Sequence, residues 1–170
     1  MGSNNFYVID ASSLINIRMH YPVTVFASFW DRLSELALEN RLAAPQTVFD
    51  ELGQKDDDYL INWFKERKDK LVYTEYSEKL LEYVGEILAK YPKLIDENQS
   101  KEQADPFVIA MALEYRESPQ KKLVDYEICV VTDESRKTGA RKTRIPEVCD
   151  HYKIPCYKML KMAEIEGWKF

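Results

Sequence analysis

The chain is expected to fold as a three-layer α/β/α domain around a central, mainly parallel sheet of about five strands. Short β-branched and aromatic runs alternate with longer stretches whose apolar residues recur at helical spacing, the pattern of strands joined by crossover helices. The strongest run, Ile128 to Val131, is apolar at every position, as a strand buried on both faces requires. No internal repeat and no linker interrupts the alternation. Residues 4–170 therefore read as one domain, large enough to bury a real core.

Phe6 to Ile9 form the first strand, which ends at Asp10. Ser12 and Ser13 are able to cap a short helix carrying Leu14, Ile15 and Ile17, and Pro22 then breaks the chain. Val25, Phe26, Phe29, Trp30, Leu33, Leu36 and Ala37 predict a helix over residues 23–40. Residues 41–44 make a weak second strand. Pro45 suits a first helical turn, with Val48, Phe49 and Leu52 on one face before Gly53 stops the helix. Asp56, Asp57 and Asp58 open another helix, where acids suit the helix dipole, ahead of Tyr59, Leu60, Trp63 and Phe64.

Residues 71–74 are the third strand. Ser77 caps a helix carrying Leu80, Leu81, Val84, Ile87 and Leu88, which ends before Pro92, and residues 93–103 form a polar loop. Asp105 as cap and Pro106 in the first turn start a strong helix running to about Tyr115. After a second loop over 118–125 comes the strand 127–132, then a basic segment, 135–144, that contains Gly139. A helix from Pro146 through Val148 and Tyr152, a strand over 154–157 and a closing helix over 159–166 complete the chain.

A hydrophobic fraction of 45% with 31% charged residues is an ordinary soluble balance, and no apolar run reaches the length of a membrane span. With no signal-like start, a cytoplasmic protein with no membrane partner is expected. The net charge of −5 argues against a general nucleic-acid coat, although it leaves room for a local basic strip beside an acidic site. Cys129, Cys149 and Cys156 are too few and too unevenly placed for a disulfide framework, and apolar neighbours suit them to buried thiols. Cys149 and His151 lack the second pair that zinc would want. His20 and His151 have no obvious catalytic partner, and His20 beside Tyr21 and Pro22 suits a surface loop.

Ligands of such sheets lie outside the carboxyl ends of the strands. Asp10 stands at one such end, with Ser12 placed to orient it by a hydrogen bond; its ordinary alternative is to cap the next helix. A dehalogenase-like phosphotransfer site would need a second Asp where Ser12 stands, and a receiver domain would need further strand-end Asp and Lys residues that do not occur. Glu51 has the common alternative of a solvent-facing helix residue, and Asp105 that of a plain N-cap.

Together these segments resemble the PIN-domain family of nucleases. Val8-Ile9-Asp10-Ala11-Ser12 is similar to the opening motif of that family, and Ala44 to Leu52 with Glu51 to its second. Ala104 to Ala112 with Asp105 is similar to the third, and Val130 to Glu134 with Thr132 to the fourth. The match spans nearly the whole chain, and it most resembles a branch with a late basic loop running into Ile145-Pro146-Glu147-Val148-Cys149. The resemblance implies catalytic and metal-holding roles for Asp10, Glu51, Asp105 and Glu134, with Ser12 and Thr132 in support. Successive strand residues point to opposite sides, so of Asp133 and Glu134 at most one reaches the site directly. The family pattern favours Glu134, with Asp133 as the substitute ligand, or else paired with Arg136 or Lys137.

Several clustered carboxylates would not all ionise without a counter-charge. Mg²⁺ or Mn²⁺, hard cations that prefer oxygen, would supply it and would activate a water against a phosphodiester. The resemblance implies RNA hydrolysis leaving 5′-phosphate and 3′-hydroxyl ends, as in toxins held by a protein antitoxin. Arg136, Lys137, Arg141, Lys142 and Arg144 follow the fourth acid; such runs are usually solvated surface, but their place suits contacts to the RNA backbone. Phe26, Phe29, Trp30, Trp63 and Phe64 fit a core, and exposed members would fit a homodimer or antitoxin surface. The alternatives are a PIN-like binding or scaffold module without turnover, and a structure-specific nuclease acting on DNA. The short chain, with no added DNA-binding module, counts against the last.

Overall fold

Five strands hydrogen-bond into one sheet in the computed structural model, which describes residues 3–53, 58–73, 75–118, 125–136 and 142–170. They are β1 (Asn5–Ile9), β2 (Leu42–Pro45), β3 (Val72–Tyr73), β4 (Glu127–Val131) and β5 (Cys156–Tyr157), in the spatial order β3-β2-β1-β4-β5. Every neighbouring pair is parallel, as in an α/β/α sandwich. The chain builds outward from β1 through β2 to β3, then returns to place β4 on the other side of β1. That reversal opens a crevice at the carboxyl ends of β1 and β4.

The helices are α1 (Ala11–His20), α2 (Ala27–Leu38), α3 (Gln46–Leu52), α4 (Asp58–Glu66), α5 (Lys68–Leu71), α6 (Glu78–Lys90), α7 (Asp105–Glu117), α8 (Ile145–Tyr152) and α9 (Met159–Ile165). Asp105 to Leu113 of α7 are all buried, because this helix lies against β1, β2 and β4 while α6 and α8 pack on it. A helix apolar all round belongs at the centre of a domain. β1 is likewise buried throughout, and its register with β4 pairs Ile9 with Val131. No helix of the described residues is long and apolar enough to cross a membrane.

Several expectations need correction. The helix expected over 23–40 is shorter, because the amides of Val25 and Phe26 fold back onto the Pro22 carbonyl. Asn40, at φ 57°, turns the chain out of α2, and Arg41 N–H reaches back to Leu36 O at 2.9 Å. Pro45 does not enter a helix: it ends β2 in an extended conformation and leads into α3. The unforeseen turn α5 consumes the start of the third strand, leaving Val72–Tyr73. Pro92–Leu94 form a 3-10 turn where the loop was expected to begin. The last strand loses its first residues because left-handed Lys153 (φ 56°) directs Ile154 N–H onto Cys149 O. His20 is the last residue of α1 rather than part of a loop.

Phe29, Trp30, Trp63 and Phe64 are core residues and Phe26 is half-buried, so these aromatics do not make a docking surface. Cys129 and Cys149 are buried thiols, with burial pushing Cys129 up to about 12, while Cys156 is only half-buried. Asp56 and Asp57 lie outside the described residues.

The amino edge of the sheet is closed by a buried ion pair. Glu166, just past α9 and with a side chain 3% exposed, accepts bonds at Oε1 from Arg41 Nη2 and Tyr7 Oη, each at 2.7 Å. Arg41 also donates to Ser3 O and Asn5 O, so β1, the start of β2 and the end of α9 are tied at one point. Removing Glu166 leaves the largely buried Arg41 guanidinium with only the exposed Glu39 carboxylate, 3.3 Å away, as a counter-charge. Glu166→Ala is therefore expected to lower unfolding stability by about 3 kcal/mol, read as a lower urea midpoint. An unchanged midpoint would show that the ion pair contributes nothing net.

Candidate functional site

Ile9 pairs with Val131, so the residues that follow the two strands emerge side by side. Asp10 N–H bonds to Val131 O at 2.9 Å, and Ser13 Oγ donates to the same carbonyl at 3.0 Å. The Asp10 carboxylate, on a residue 3% exposed, accepts from Ala11 N at 2.8 Å, Ser12 Oγ at 2.7 Å and Thr132 Oγ1 at 3.0 Å. Ser12 and Thr132 thus do hold the acid in one orientation. Burial raises Asp10 above the usual carboxylate range, and these hydrogen bonds offset part of the rise.

Glu51 sits in the last turn of α3 and turns inward rather than to solvent. Its Oε1 accepts from Ala104 N at 2.8 Å, at the amino end of α7. The N-cap of α7 is Ala104, not Asp105, so Asp105 is the first helical residue and Glu51 supplies part of the capping. Glu134 reaches α8 in the same way, with Oε2 accepting from Ile145 N at 2.8 Å, while its own N–H bonds to Thr132 Oγ1. Both carboxylates sit where a helix dipole favours negative charge. Among the described residues these bonds use only one oxygen of each.

Asp10, Glu51, Asp105 and Glu134 are close enough to perturb one another. Asp105, 9% exposed, is raised to about 8, first by burial and then by the charges of Asp10, Glu134 and Glu51. Glu51 and Glu134 are raised by burial, with Asp10 adding repulsion. Lys142 supplies the nearest opposite charge, its Nζ 3.3 Å from Asp105 Oδ2. Partial burial pulls the Lys142 ammonium down, and Asp105, Glu134 and Glu51 together push it above its ordinary value.

The structure separates Asp133 from this group. Its Oδ2 accepts from Asn16 Nδ2 at 2.6 Å and its Oδ1 from Met159 N at 3.2 Å, which places it at the amino end of α9. The expected pairing of Asp133 with Arg136 is not made, because Arg136 forms a two-bond pair with Asp150 at 2.9 and 3.0 Å. Lys137 and Arg141 lie outside the described residues. Ser13, Asn16, Ala104 and the inward reach of Lys142 were missed from the sequence, and the paired serines after Asp10 were the only signal for any of them. Among the described residues no three His, Cys, Asp or Glu side chains already stand in a metal-holding arrangement. The donor set nonetheless suits a hard dication: carboxylate oxygens whose charges repel, offset among the described residues by Lys142 beside Asp105 and by Arg144 toward Glu134.

Fold and site together define an α/β protein with an acidic crevice at the switch point of its sheet. The chain matches, over residues 7–170, the family described as "Domain of unknown function (DUF4411)", and it belongs to that family. Comparison with curated proteins and with solved structures gave no match.

All four carboxyl groups are raised, so the native state keeps protons that the unfolded chain has already lost. The contribution of Asp105 to stability is complete below its unfolded value of 3.8 and is lost as pH rises through about 8, and the other three shift in the same direction. In chelator, melting temperature is expected to fall across that window. A melting temperature that climbs steadily from pH 5 to pH 8.5 would contradict this electrostatic account.

Proposed function

We propose that this chain is a metal-dependent nuclease that hydrolyses RNA phosphodiester bonds, of the PIN type its motifs resemble. The observation that carries the reading is the convergence of Asp10, Glu51, Asp105 and Glu134, from four separate segments, on the switch point of a parallel sheet, with Asp105 raised to about 8. Acids raised first by burial and then by one another's charge, gathered at one crevice, are characteristic of working sites.

Asp10, Asp105 and Glu134 would hold Mg²⁺ or Mn²⁺, with Glu51 reaching it directly or through water. Such an ion, when bound, would supply the counter-charge that keeps the acids ionised and the Lewis acidity that activates water against a phosphodiester. Ser12 and Thr132 both donate to Asp10 Oδ2 while Ala11 N–H holds Oδ1, the outer-shell bonding that tunes a metal ligand. The helix-end bonds of Glu51 and Glu134 hold one oxygen of each. Lys142, beside Asp105, and Arg144, near Glu134, suit contact with the RNA backbone. A cytoplasmic toxin held by an antitoxin is the biological setting the resemblance suggests.

A second reading has a specific observation behind it. Asp10, Glu51 and Glu134 each bond a helix amino terminus, a structural task that a non-catalytic binding module would also keep. Turnover separates the two.

Mn²⁺ at about one hundred times its Kd is expected to stabilise the protein by about 2.7 kcal/mol, roughly 5–10 °C for a chain of this size. Asp10→Asn should abolish that shift together with cleavage of single-stranded RNA. Ser12→Ala should weaken metal affinity by about tenfold. Neither cleavage nor a metal-induced shift in the unaltered protein would remove the nuclease reading. Of the adjacent acids, Glu134→Gln should abolish metal-dependent cleavage, and Asp133→Asn should spare it while loosening the start of α9. The opposite ranking would show that Asp133 is the ligand.

A further inference from the structure

Lys142 stands in a place its sequence context does not require. Basic residues after a strand usually face solvent, and an exposed ion pair is worth little. Here the side chain is 49% exposed, yet its ammonium lies 3.3 Å from Asp105 Oδ2 and also feels Glu134 and Glu51. The backbone that follows it is pinned at two points. Thr143 N–H bonds to Lys93 O at 3.1 Å, and Ile145 N–H bonds to Glu134 Oε2 at 2.8 Å. The lysine is therefore delivered to the crevice by a held backbone. Arg136, by contrast, is spent on Asp150, outside the acidic group.

We propose that Lys142 is a resident occupant of the cation position, a side chain that holds the place of a divalent ion beside Asp105 and has to leave before the ion binds there. The proposal rests on the reading of the crevice as a metal site, and it adds the device that sets the site's affinity. The potential well made by Asp105, Glu134 and Glu51 is a single well, and a monovalent ammonium at hydrogen-bonding distance already fills part of it. A divalent ion entering that well meets a like charge a few ångströms away. It either ejects the lysine, losing the ion pair, or binds against its repulsion. Both routes weaken binding relative to a crevice without the lysine. In the metal-free protein the same ammonium relieves the repulsion among the acids, so the fold does not depend on the ion.

The test is calorimetric titration of Mn²⁺ into the intact protein, with thermal melts in chelator and in Mn²⁺. Lys142→Gln is expected to bind Mn²⁺ at least about tenfold more tightly than the unaltered chain, the screened remainder of a close charge repulsion. It should also melt at a lower temperature in chelator, and gain more from Mn²⁺. Lys142→Arg keeps the charge and should retain the original affinity. Mn²⁺ binding by the unaltered chain that is equal to or tighter than that of Lys142→Gln overturns the proposal while leaving the metal site standing. Loss of the charge effect in Lys142→Arg as well would overturn it by showing that the ammonium's charge is not the cause. If neither the unaltered chain nor Lys142→Gln binds Mn²⁺, while both melt as folded proteins, the metal reading falls and this proposal with it.

Discussion

The parallel register that sets Ile9 beside Val131 is the constraint on which the acidic crevice depends. It makes Asp10 and Thr132 direct neighbours at the carboxyl edge, close enough for a 3.0 Å hydrogen bond between residues 122 positions apart. A slip of one residue would turn the side chains of β1 to the opposite face and break that bond. Burial alone does not choose between registers of two largely apolar strands; the polar bonds at their carboxyl ends do, with Asp10 N–H and Ser13 Oγ both on Val131 O and Thr132 Oγ1 on the Asp10 carboxylate. β1 and β4 also bound the point where strand order reverses, so the loops leaving them diverge and leave room for a ligand.

Burying acids is unfavourable unless each has partners, and this fold provides them from helix ends. Asp10 is held by α1, Glu51 bonds to the start of α7, Glu134 to that of α8, and Asp133, turned away, to that of α9. Helix amino termini carry unsatisfied N–H groups and partial positive charge, so the same bonds that end the helices well also make the carboxylates tolerable. Asp105 takes no such bond from another helix and is raised to about 8, with Lys142 as its close counter-charge. Structural and chemical roles therefore coincide on the same atoms.

The sheet was legible because its strands are continuous apolar runs, and the helices because their apolar residues recur at the helical period. Asp10 was legible from its place after such a run, and Glu51, Asp105 and Glu134 from the order of motifs. What could not be read depends on contacts across long separations. Glu51 could be assigned to the site only through the order of motifs, because its own segment fits an outward-facing helix residue equally well, and the meeting of α3 with the start of α7 is what turns it inward. Nothing local distinguishes Lys142 from the basic residues near it, since its position follows from anchoring of the backbone at Lys93 and Glu134. The aromatic residues of α2 and α4 carried helical spacing that fits either core or surface, and packing of these helices decided for the core. Short strands such as β3 and β5 lie below the length at which pattern alone sets a boundary.

The pairing of β1 with β4 also has a temporal consequence. A ribosome makes Asn5–Ile9 first, but their partner on one side, Glu127–Val131, emerges only after more than a hundred further residues. Until then one hydrogen-bonding edge of β1 waits unpaired, a state prone to wrong association and to slow, high-contact-order closure. The clasp of Arg41 and Tyr7 on Glu166 is later still. A nascent chain therefore carries no assembled acidic crevice until β4 has been made, and whatever chemistry the crevice performs begins only when the sheet has closed from both sides.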